Sequence, residues 1–340
     1  MQHSDRPTTP FPITPACSVS ELVKRMAGTS FQSRNLSRGA DIWSKMLVGR
    51  RTIYMGLAGA MVPAGMRKVL TYIIENRLID CLVSTGANLV HDLHETLGRV
   101  HWQGEAEVDD CALAESDVYR IYDTYLEEKE FDKTENFIID FSTTLERDRA
   151  YTTREFFHLL GKRLSKRCKE DGIITAAYRA GVPIYCPAIV DSVYGTALAD
   201  ARVKGKSGVL FDLVQDLVEL IRIACESKST GVIFIGGGTP KNFIQQIELC
   251  GDLFGKALKG HEYAIQITTD APQWGGLSGC TFEEARSWGK ITSDASTSTI
   301  YSDATIALPI LVSALAEGSA KLIEKRKPPV YKLGKDISIR

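Results

Sequence analysis

The segment that ends at Lys290 combines residue types that could carry out covalent chemistry. A glycine-rich loop with two tryptophans is followed by a short helical stretch and the lysine (DAPQWGGLSGCTFEEARSWGK, residues 270–290). In a dry aromatic pocket a lysine loses its charge more easily and becomes an amine nucleophile that forms Schiff bases, and Trp288 could face a substrate cation. A structural interpretation is also open, because Thr281 and Glu284 have the spacing of a capping box and Lys290 would complement a helix dipole.

Small and polar residues follow four apolar segments, at Gly56–Ala60, Ser84–Asn88, Asp191–Ser192 and Gly236–Pro240. Such turns let backbone N–H groups approach a phosphate at a helix N-terminus. Four turns at one sheet edge suggest a dinucleotide. Each alone is an ordinary strand-to-helix turn, and none has the G-x-G-x-x-G spacing.

Two carboxylates in this pattern have two possible roles. Asp191 lies in a strand-end turn, and Asp303 precedes an apolar helical stretch. Either could hold a ribose hydroxyl or cap a helix. The residues alone leave both roles open.

Short apolar, β-branched segments recur along the chain, each followed by a turn and a helical pattern. They are residues 52–56, 79–85, 183–189, 232–238 and 263–269. Buried parallel strands have this composition. Repeated strand-then-helix units predict a doubly wound α/β fold with a mostly parallel sheet and helices on both faces.

The order of these segments predicts the domain organisation. We expect a flexible N-terminal arm at residues 1–20, one α/β domain at 21–330 and a C-terminal tail at 331–340. Residues 98–180 are too long for a simple crossover and contain helical patterns. They are predicted to be a helical insertion in the same domain, because no Gly/Ser-rich or Pro-rich linker separates them from the sheet.

Composition argues against several classes of partner. Lys and Arg total 41 against 42 acidic residues, which gives no global attraction to nucleic acid or an anionic membrane. No run of 18 apolar residues and no presequence pattern occurs. The eight cysteines lack C-x-x-C pairs or metal-ligand spacing, so we expect no metal site and a reducing, cytoplasmic location.

The lysine segment also resembles a known family. Residues 283–290 (EEARSWGK) are similar to the E-A-x-S-W-G-K segment of deoxyhypusine synthases. The likeness extends from about Gly28 through the strand-end turns to Tyr301–Ala304, and so covers nearly everything beyond the arm. It implies a Rossmann-type, NAD-dependent aminobutyl transfer from spermidine, in which the lysine captures an imine and diaminopropane is lost.

The resemblance also implies roles for individual residues. Lys290 would be the nucleophile, and Trp288 and Glu284 would line the amine pocket. NAD would be bound by Ala60, Thr85, Gly86, Ala87, Asp191, Gly237, Gly238, Thr269, Asp303 and Ala304. The family further implies a homotetramer whose active sites lie between paired subunits.

The chain departs from the family at positions that would hold a polyamine. Thr196 and Leu277 replace acids, Asn242 replaces a histidine, and His91 replaces a glutamate. Because a polycation needs carboxylates in place of its hydration, these changes favour a changed substrate, with Thr196, Asn242 and His91 lining its pocket. We expect transfer to a small amine such as putrescine, giving homospermidine. The alternatives are modification of a translation-factor lysine and a non-catalytic NAD-binding protein.

Overall fold

The computed structural model describes residues 7–276 and 278–339. Its strands are β1 (Thr52–Leu57), β2 (Cys81–Ser84), β3 (Trp102–Gln103), β4 (Val118–Ile121), β5 (Thr124–Glu127), β6 (Ala150–Tyr151), β7 (Ile184–Tyr185), β8 (Leu210–Phe211), β9 (Thr230–Ile235), β10 (His261–Thr268), β11 (Ile291–Tyr301), β12 (Tyr331–Leu333) and β13 (Ile337–Ile339). Its helices are α1 (Val19–Met26), α2 (Phe31–Met46), α3 (Arg67–Glu75), α4 (Gly86–Thr96), α5 (Asp110–Glu115), α6 (Glu128–Ser142), α7 (Thr153–Leu164), α8 (Ile173–Ala180), α9 (Val193–Val203), α10 (Leu213–Glu226), α11 (Gly238–Gln245), α12 (Phe282–Ser287), α13 (Ala304–Gly318) and α14 (Ala320–Lys325). A π-helical turn (Val62–Met66) precedes α3.

Six strands form the main sheet, in the order β11, β10, β9, β1, β2, β7. The pairings of β10 with β9 and β11 and of β2 with β7 are parallel, and Ile265 of β10 lies opposite both Ile233 and Ser298. Every residue of β1 and β9 is buried, as expected of strands covered on both faces. The predicted α/β fold with a mostly parallel sheet is confirmed.

The chain divides into two compact units. Among the described residues, the first unit contains 7–56, 76–80, 221–276 and 278–329, and the second contains 57–75, 81–220 and 330–339. That residues 21–330 form a single domain stays a prediction.

Buried polar contacts hold the first unit together. The indole of Trp43, fully buried on α2, donates to the carbonyl of Leu78 at 3.1 Å. The buried carboxylate of Asp80 accepts from the guanidinium groups of Arg77 (2.9 Å) and Arg326 (2.6 Å). These long-range contacts satisfy charges that burial alone would make costly.

The second unit contains the predicted insertion and tail. Residues 98–180 are more than helical, because β3, β5 and β4 form a three-stranded antiparallel sheet within them. At the end of the chain, β12 and β13 form an antiparallel hairpin. The guanidinium of Arg154 donates to the carbonyls of Gly334 and Lys335 at 2.5 and 3.0 Å, and these two bonds anchor the hairpin. The same guanidinium forms an ion pair with Glu219.

Some predictions from the sequence concern residues outside the described chain, and others differ from the structure. The first six residues of the predicted arm, Leu277 and Arg340 lie outside the described residues. The described part of the arm is bound, since the Thr9 amide donates to the Gly28 carbonyl at 2.7 Å. The strand predicted at 183–189 is limited to Ile184–Tyr185. None of the helices formed by residues 7–276 and 278–339 has the length and apolar character needed to cross a membrane.

Candidate functional site

Three strand-end turns of the first unit are hydrogen-bonded to one another. The Gly236 amide, after β9, donates to Ile267 O of β10 at 2.8 Å, and the Ser302 amide, after β11, donates to Thr268 O at 3.1 Å. The predicted cofactor residues Gly237, Gly238, Thr269, Asp303 and Ala304 follow these strands. The structure thus places this part of the predicted cofactor set along one edge.

A loop from residue 270 onward lies against these turns. The carboxylate of Asp270 accepts from the Ser278 amide at 2.7 Å, and the hydroxyls of Ser278 and Thr268 are 2.5 Å apart. A Cβ on Gly237 would lie 2.3 Å from Ser278 Cα, so the loop approaches as closely as a glycine allows. Thr268, Asp270 and Ser278 line a small open cleft at this place.

Lys290 follows α12 at the end of this loop. Gly289 has φ of +75°, and the Lys290 amide donates to Ala285 O at 3.0 Å, which closes the helix and places the lysine before β11. Its ammonium lies 5.5 Å from the ring centroid of Trp288. Among the described residues the Lys290 ammonium forms no ion pair. The amine end of this half-buried lysine is therefore available to a ligand.

The capping prediction for α12 is confirmed in part. The Thr281 hydroxyl accepts from the Glu284 amide at 3.0 Å, so this pair is structural at its N-terminus. The Glu284 side chain itself is exposed, as is Asn242 on α11. Trp288 is 61% exposed and Trp274 80% exposed, so the described residues do not close the aromatic wall predicted from the sequence.

A second lysine, which the sequence analysis did not identify, lies behind the loop. Lys241 is only 2% exposed, and its ammonium donates to Gln266 Oε1 (2.9 Å) and Cys280 O (2.6 Å). The ammonium lies 5.7 and 5.6 Å from the ring centroids of Phe234 and Phe282. The pKa of Lys241 is lowered to about 8, mainly because the side chain is buried, and the nearby charge of Lys290 contributes to this value.

Lys241 supports the loop, because its ammonium is hydrogen-bonded to Gln266 of β10 and to Cys280 of the loop. Gln266, which accepts from Lys241, donates in turn to Gly236 O at 2.8 Å and Ser278 O at 3.3 Å. Its partners are 25 and 39 residues away in sequence. No local pattern could have found this lysine.

In the second unit, three other turns are also joined. The Asn88 amide group donates to Gly59 O at 2.7 Å and Thr85 Oγ1 at 3.1 Å, linking the turns that follow β1 and β2. A Cβ on Gly86 would lie 2.3 Å from Ser192 Oγ, so the turn after β7 is in close contact as well. The structure therefore brings together Ala60, Thr85, Gly86, Ala87 and Asp191.

The helices that begin at these turns have N-termini suited to a phosphate. The N-cap residues of α4 (Thr85), α9 (Ser192) and α11 (Gly237) form no side-chain cap hydrogen bond. Their first-turn N–H groups are the ones a helix leaves unpaired, and the helix dipole favours an anion there. Each of these N-termini, taken within its own unit, is therefore suited to a phosphate group such as those of NAD. At α13, by contrast, Asp303 caps the helix by accepting from the Thr305 amide at 2.7 Å.

Two predicted substrate residues lie on helices of the second unit. His91 is on α4, and its ring contacts His101. Thr196 is exposed on α9, where its hydroxyl donates to the Val193 carbonyl at 3.2 Å, and it lies close to Glu135 of α6. Burial, with Asp132 and Asp200 nearby, raises the pKa of Glu135. Thr196, which stands where the family has an acid, therefore has a carboxyl group from another helix beside it.

Comparison with known proteins identifies the family. The family model of deoxyhypusine synthase matches residues 21–315. A probable deoxyhypusine synthase 2 of Methanosarcina mazei is 48% identical over 330 residues, which covers 96% of this chain and 94% of that protein. This chain belongs to the deoxyhypusine synthase family. Probable deoxyhypusine synthase 1 of the same organism is 40% identical, with coverages of 89% and 92%.

A solved structure supports the fold. A crystal structure described as a deoxyhypusine synthase from Entamoeba histolytica matches with a TM-score of 0.61 at 21% identity, covering 88% of this chain and 93% of that one. Members of the family are NAD-dependent aminobutyltransferases. The protein is accordingly a transferase with NAD as its cofactor, and the family implies a polyamine substrate.

Proposed function

We propose that this enzyme moves a 4-aminobutyl group from a polyamine donor to a small amine such as putrescine, through an imine on Lys290. The carrying observation is the placement of Lys290, held by the closed end of α12 with its amine beside Trp288 and without an ion-pair partner in the described chain. A lysine in this state can add to an electrophilic carbon. Bound NAD supplies hydride acceptance from the donor and hydride return to the product.

The chemistry at Lys290 is an exchange of amines on one carbon. When the donor is oxidised, its C–N bond becomes an imine. The Lys290 amine adds to that carbon, diaminopropane leaves, and the aminobutyl group remains bound as a lysine imine. The acceptor amine then adds to the same carbon and Lys290 leaves as the free amine. The Trp288 ring offers the cationic end of the chain a cation–π surface.

Two observations support a small acceptor. The chain is closer to the number 2 protein of Methanosarcina mazei, at 48% identity, than to the number 1 protein of the same organism, at 40%. A second family member in one cell is consistent with a second acceptor. In addition, Thr196 stands where the family has an acid and Glu135 of α6 lies close to it, as expected if the amine-binding end differs from that of the family.

A trapping experiment tests the covalent step. The protein is incubated with NAD and spermidine, putrescine or agmatine, then treated with borohydride, and the adduct is located by peptide mass spectrometry. We expect an adduct on Lys290 with at least one amine and none in Lys290→Ala. Lys259→Arg, which changes an exposed lysine just before β10, should label like the wild type. Absence of any adduct from the wild type would contradict the mechanism and favour a non-catalytic NAD-binding protein.

The acceptor is tested separately. Labelled putrescine and a translation-factor precursor are offered together in equal amounts, with spermidine as the donor, and both products are followed by mass spectrometry. We expect labelled homospermidine. If the aminobutyl group is found only on the lysine of the translation-factor precursor and no labelled homospermidine forms, the second candidate function is established. The names of the archaeal relatives favour that second function.

The exposed Trp288 and Trp274 further support a site that a second subunit completes. We propose a homotetramer with active sites between paired subunits. Its mass can be measured by light scattering. A monomer that remains active would contradict this assembly.

A further inference from the structure

A row of hydrogen bonds on α4 connects a carboxylate to an imidazole of the second unit. His91 Nδ1 lies 2.9 Å from His101 Nε2, and His101 Nδ1 lies 2.8 Å from Glu95 Oε1. His91 and Glu95 are four residues apart on α4 and so occupy one face of the helix. His101, from the segment after α4, lies between them.

The chemistry of the three groups determines where the protons lie. An ionised carboxylate only accepts hydrogen bonds, so His101 Nδ1 carries a proton and donates it to Glu95. In the neutral His101 ring, Nε2 is then an acceptor, and His91 Nδ1 must be the donor. This arrangement leaves the lone pair of His91 Nε2 unused. The row therefore makes His91 Nε2 a proton acceptor.

The surroundings keep the positive charge away from His91 itself. Burial lowers the pKa of His91 to about 3, with further contributions from His101 and His94. Its ring stacks on Phe131 at 5.7 Å between centroids. Glu95, by contrast, gives His101 a carboxylate partner.

The other charged groups around α4 are already paired. Asp92 is bound to Arg67 of α3 at 2.9 Å, and Arg67 also lies 3.8 Å from Glu95. Arg99 pairs with Glu130 of α6 at 3.4 Å. His94 Nδ1 is hydrogen-bonded to Thr134 Oγ1 at 2.9 Å. Among these described groups, the hydrogen-bonded route for a proton accepted at His91 leads to His101 and Glu95.

We propose that His91, His101 and Glu95 form a proton relay in which His91 is the general base for the amine substrate. The inference rests on the proposed function, because the proton comes from the protonated donor amine. His91 is also about 6–9 Å along α4 from the predicted cofactor residues Thr85, Gly86 and Ala87, given the rise of 1.5 Å per residue.

The relay moves one proton and no electrons. The donor N–H bond breaks and a bond from that proton to His91 Nε2 forms. The His91 Nδ1–H bond breaks and a His101 Nε2–H bond forms. The charge ends on the His101 imidazolium beside the Glu95 carboxylate. The donor nitrogen keeps the electron pair of the broken N–H bond, which would assist loss of a hydride from the adjacent carbon when NAD is bound. Reversal of the same steps protonates the product amine.

The relay is tested by the rate at which the borohydride-trapped adduct accumulates on Lys290 in a single turnover with NAD and spermidine. Loss of a general base in His91→Ala should reduce this rate roughly 100-fold or more, and added imidazole should restore part of it. Glu95→Gln preserves an oxygen for His101 but removes the charge, and should reduce the rate roughly 10-fold. His158→Gln, a histidine of α7 outside the row, is the matched control and should react like the wild type.

The results separate the relay from the function on which it rests. If the wild type forms the adduct and His91→Ala reacts equally fast, or is slow without any rescue by imidazole, the relay is wrong and the Lys290 mechanism stands. If no amine labels the wild type, the proposed function fails. The relay is then judged by ¹⁵N NMR of histidine-labelled wild-type protein. A proton on Nδ1 and none on Nε2 in both His91 and His101 would support it, and any other tautomer in either ring would overturn it.

Discussion

Each unit contains a buried basic side chain beside a more exposed one of the same type. In the first unit Lys241 is buried and doubly hydrogen-bonded, whereas Lys290 is half-buried and lies beside Trp288. In the second unit His94 is fully buried and bonded to Thr134, whereas His91 is partly exposed. In each pair the buried residue stabilises the surrounding structure, and we expect the more exposed residue to take part in the chemistry.

The two regions differ in how a buried base is accommodated. Lys241 has two carbonyl acceptors and two aromatic rings around its ammonium, so its pKa falls only to about 8. The pKa of His94 falls to about 4, because burial disfavours its cation and His101 and Arg99 add to the effect. The lysine region is therefore built for a buried cation, and the histidine region for neutral rings.

The largest effect that sharpens this comparison is expected at Lys290. Lys290→Arg keeps the charge but replaces the amine by a guanidinium that does not deprotonate, so transfer should fall by roughly 1000-fold or more. The free energy of unfolding should change by less than about 0.5 kcal/mol, because the side chain contacts the exposed Trp288 ring, which an arginine can also face. Turnover is followed by mass spectrometry and stability by urea titration. An active Lys290→Arg enzyme would exclude the imine.

Lys241→Met should show the opposite pattern. Methionine fills a similar volume but leaves Gln266 Oε1 and Cys280 O without their donor, so we expect about 2–4 kcal/mol of lost stability. The adduct on Lys290 should still form, more slowly, because the loop loses its brace. Urea titration and single-turnover trapping measure the two effects. Wild-type stability in this variant would show that Lys241 is not a support.

The lowered pKa of the buried His94 predicts that the second unit loses stability at acidic pH. The folded pKa of His94, about 4, is below the unfolded value of 6.5, so the unfolded chain binds more protons between these values. The stability contribution is complete above pH 6.5 and is lost as the pH falls toward 4. Between pH 7 and pH 5 the loss should be about 2 kcal/mol. His94→Gln should reduce the pH dependence of the urea midpoint, and His91, whose pKa is also lowered, should account for part of what remains. An equal slope in both proteins would refute this origin.

The sequence predicted those features of both regions that depend on local patterns. Buried strands, strand-end turns and the cap at Thr281 are encoded by neighbouring residues, and the structure contains them. β11 was not predicted, because its polar sequence (ITSDASTSTIY) becomes a strand only by pairing with β10. The sheet of β3, β4 and β5 also went unpredicted within a segment of strong helical patterns.

The residues that support the site were harder to predict than the residues that line it. Strand-end glycines follow from the fold class, and Lys290 follows from its motif. The partners of Lys241 are brought together only by tertiary structure. His101 is ten residues from His91, and its place between His91 and Glu95 depends on the path of the chain after α4. Burial and long-range hydrogen bonding are properties of the folded chain that no local spacing records.

The smallest expected effect concerns Asp303, for which the sequence left open a cap or a ribose contact. One carboxylate oxygen caps α13 by accepting from the amide and hydroxyl of Thr305 at 2.7 and 2.8 Å. We expect the second oxygen to bind a ribose hydroxyl. Asp303→Ala should lose about 1 kcal/mol of stability, whereas Asp303→Ser retains a capping oxygen and should lose only a few tenths. Both should weaken NAD binding about 10-fold in calorimetry, because each lacks the charged acceptor. Asp294→Ser, at an exposed position of β11, serves as the control. If Asp303→Ser binds NAD as tightly as the wild type, Asp303 acts as a helix cap alone and belongs with the buried bases as support.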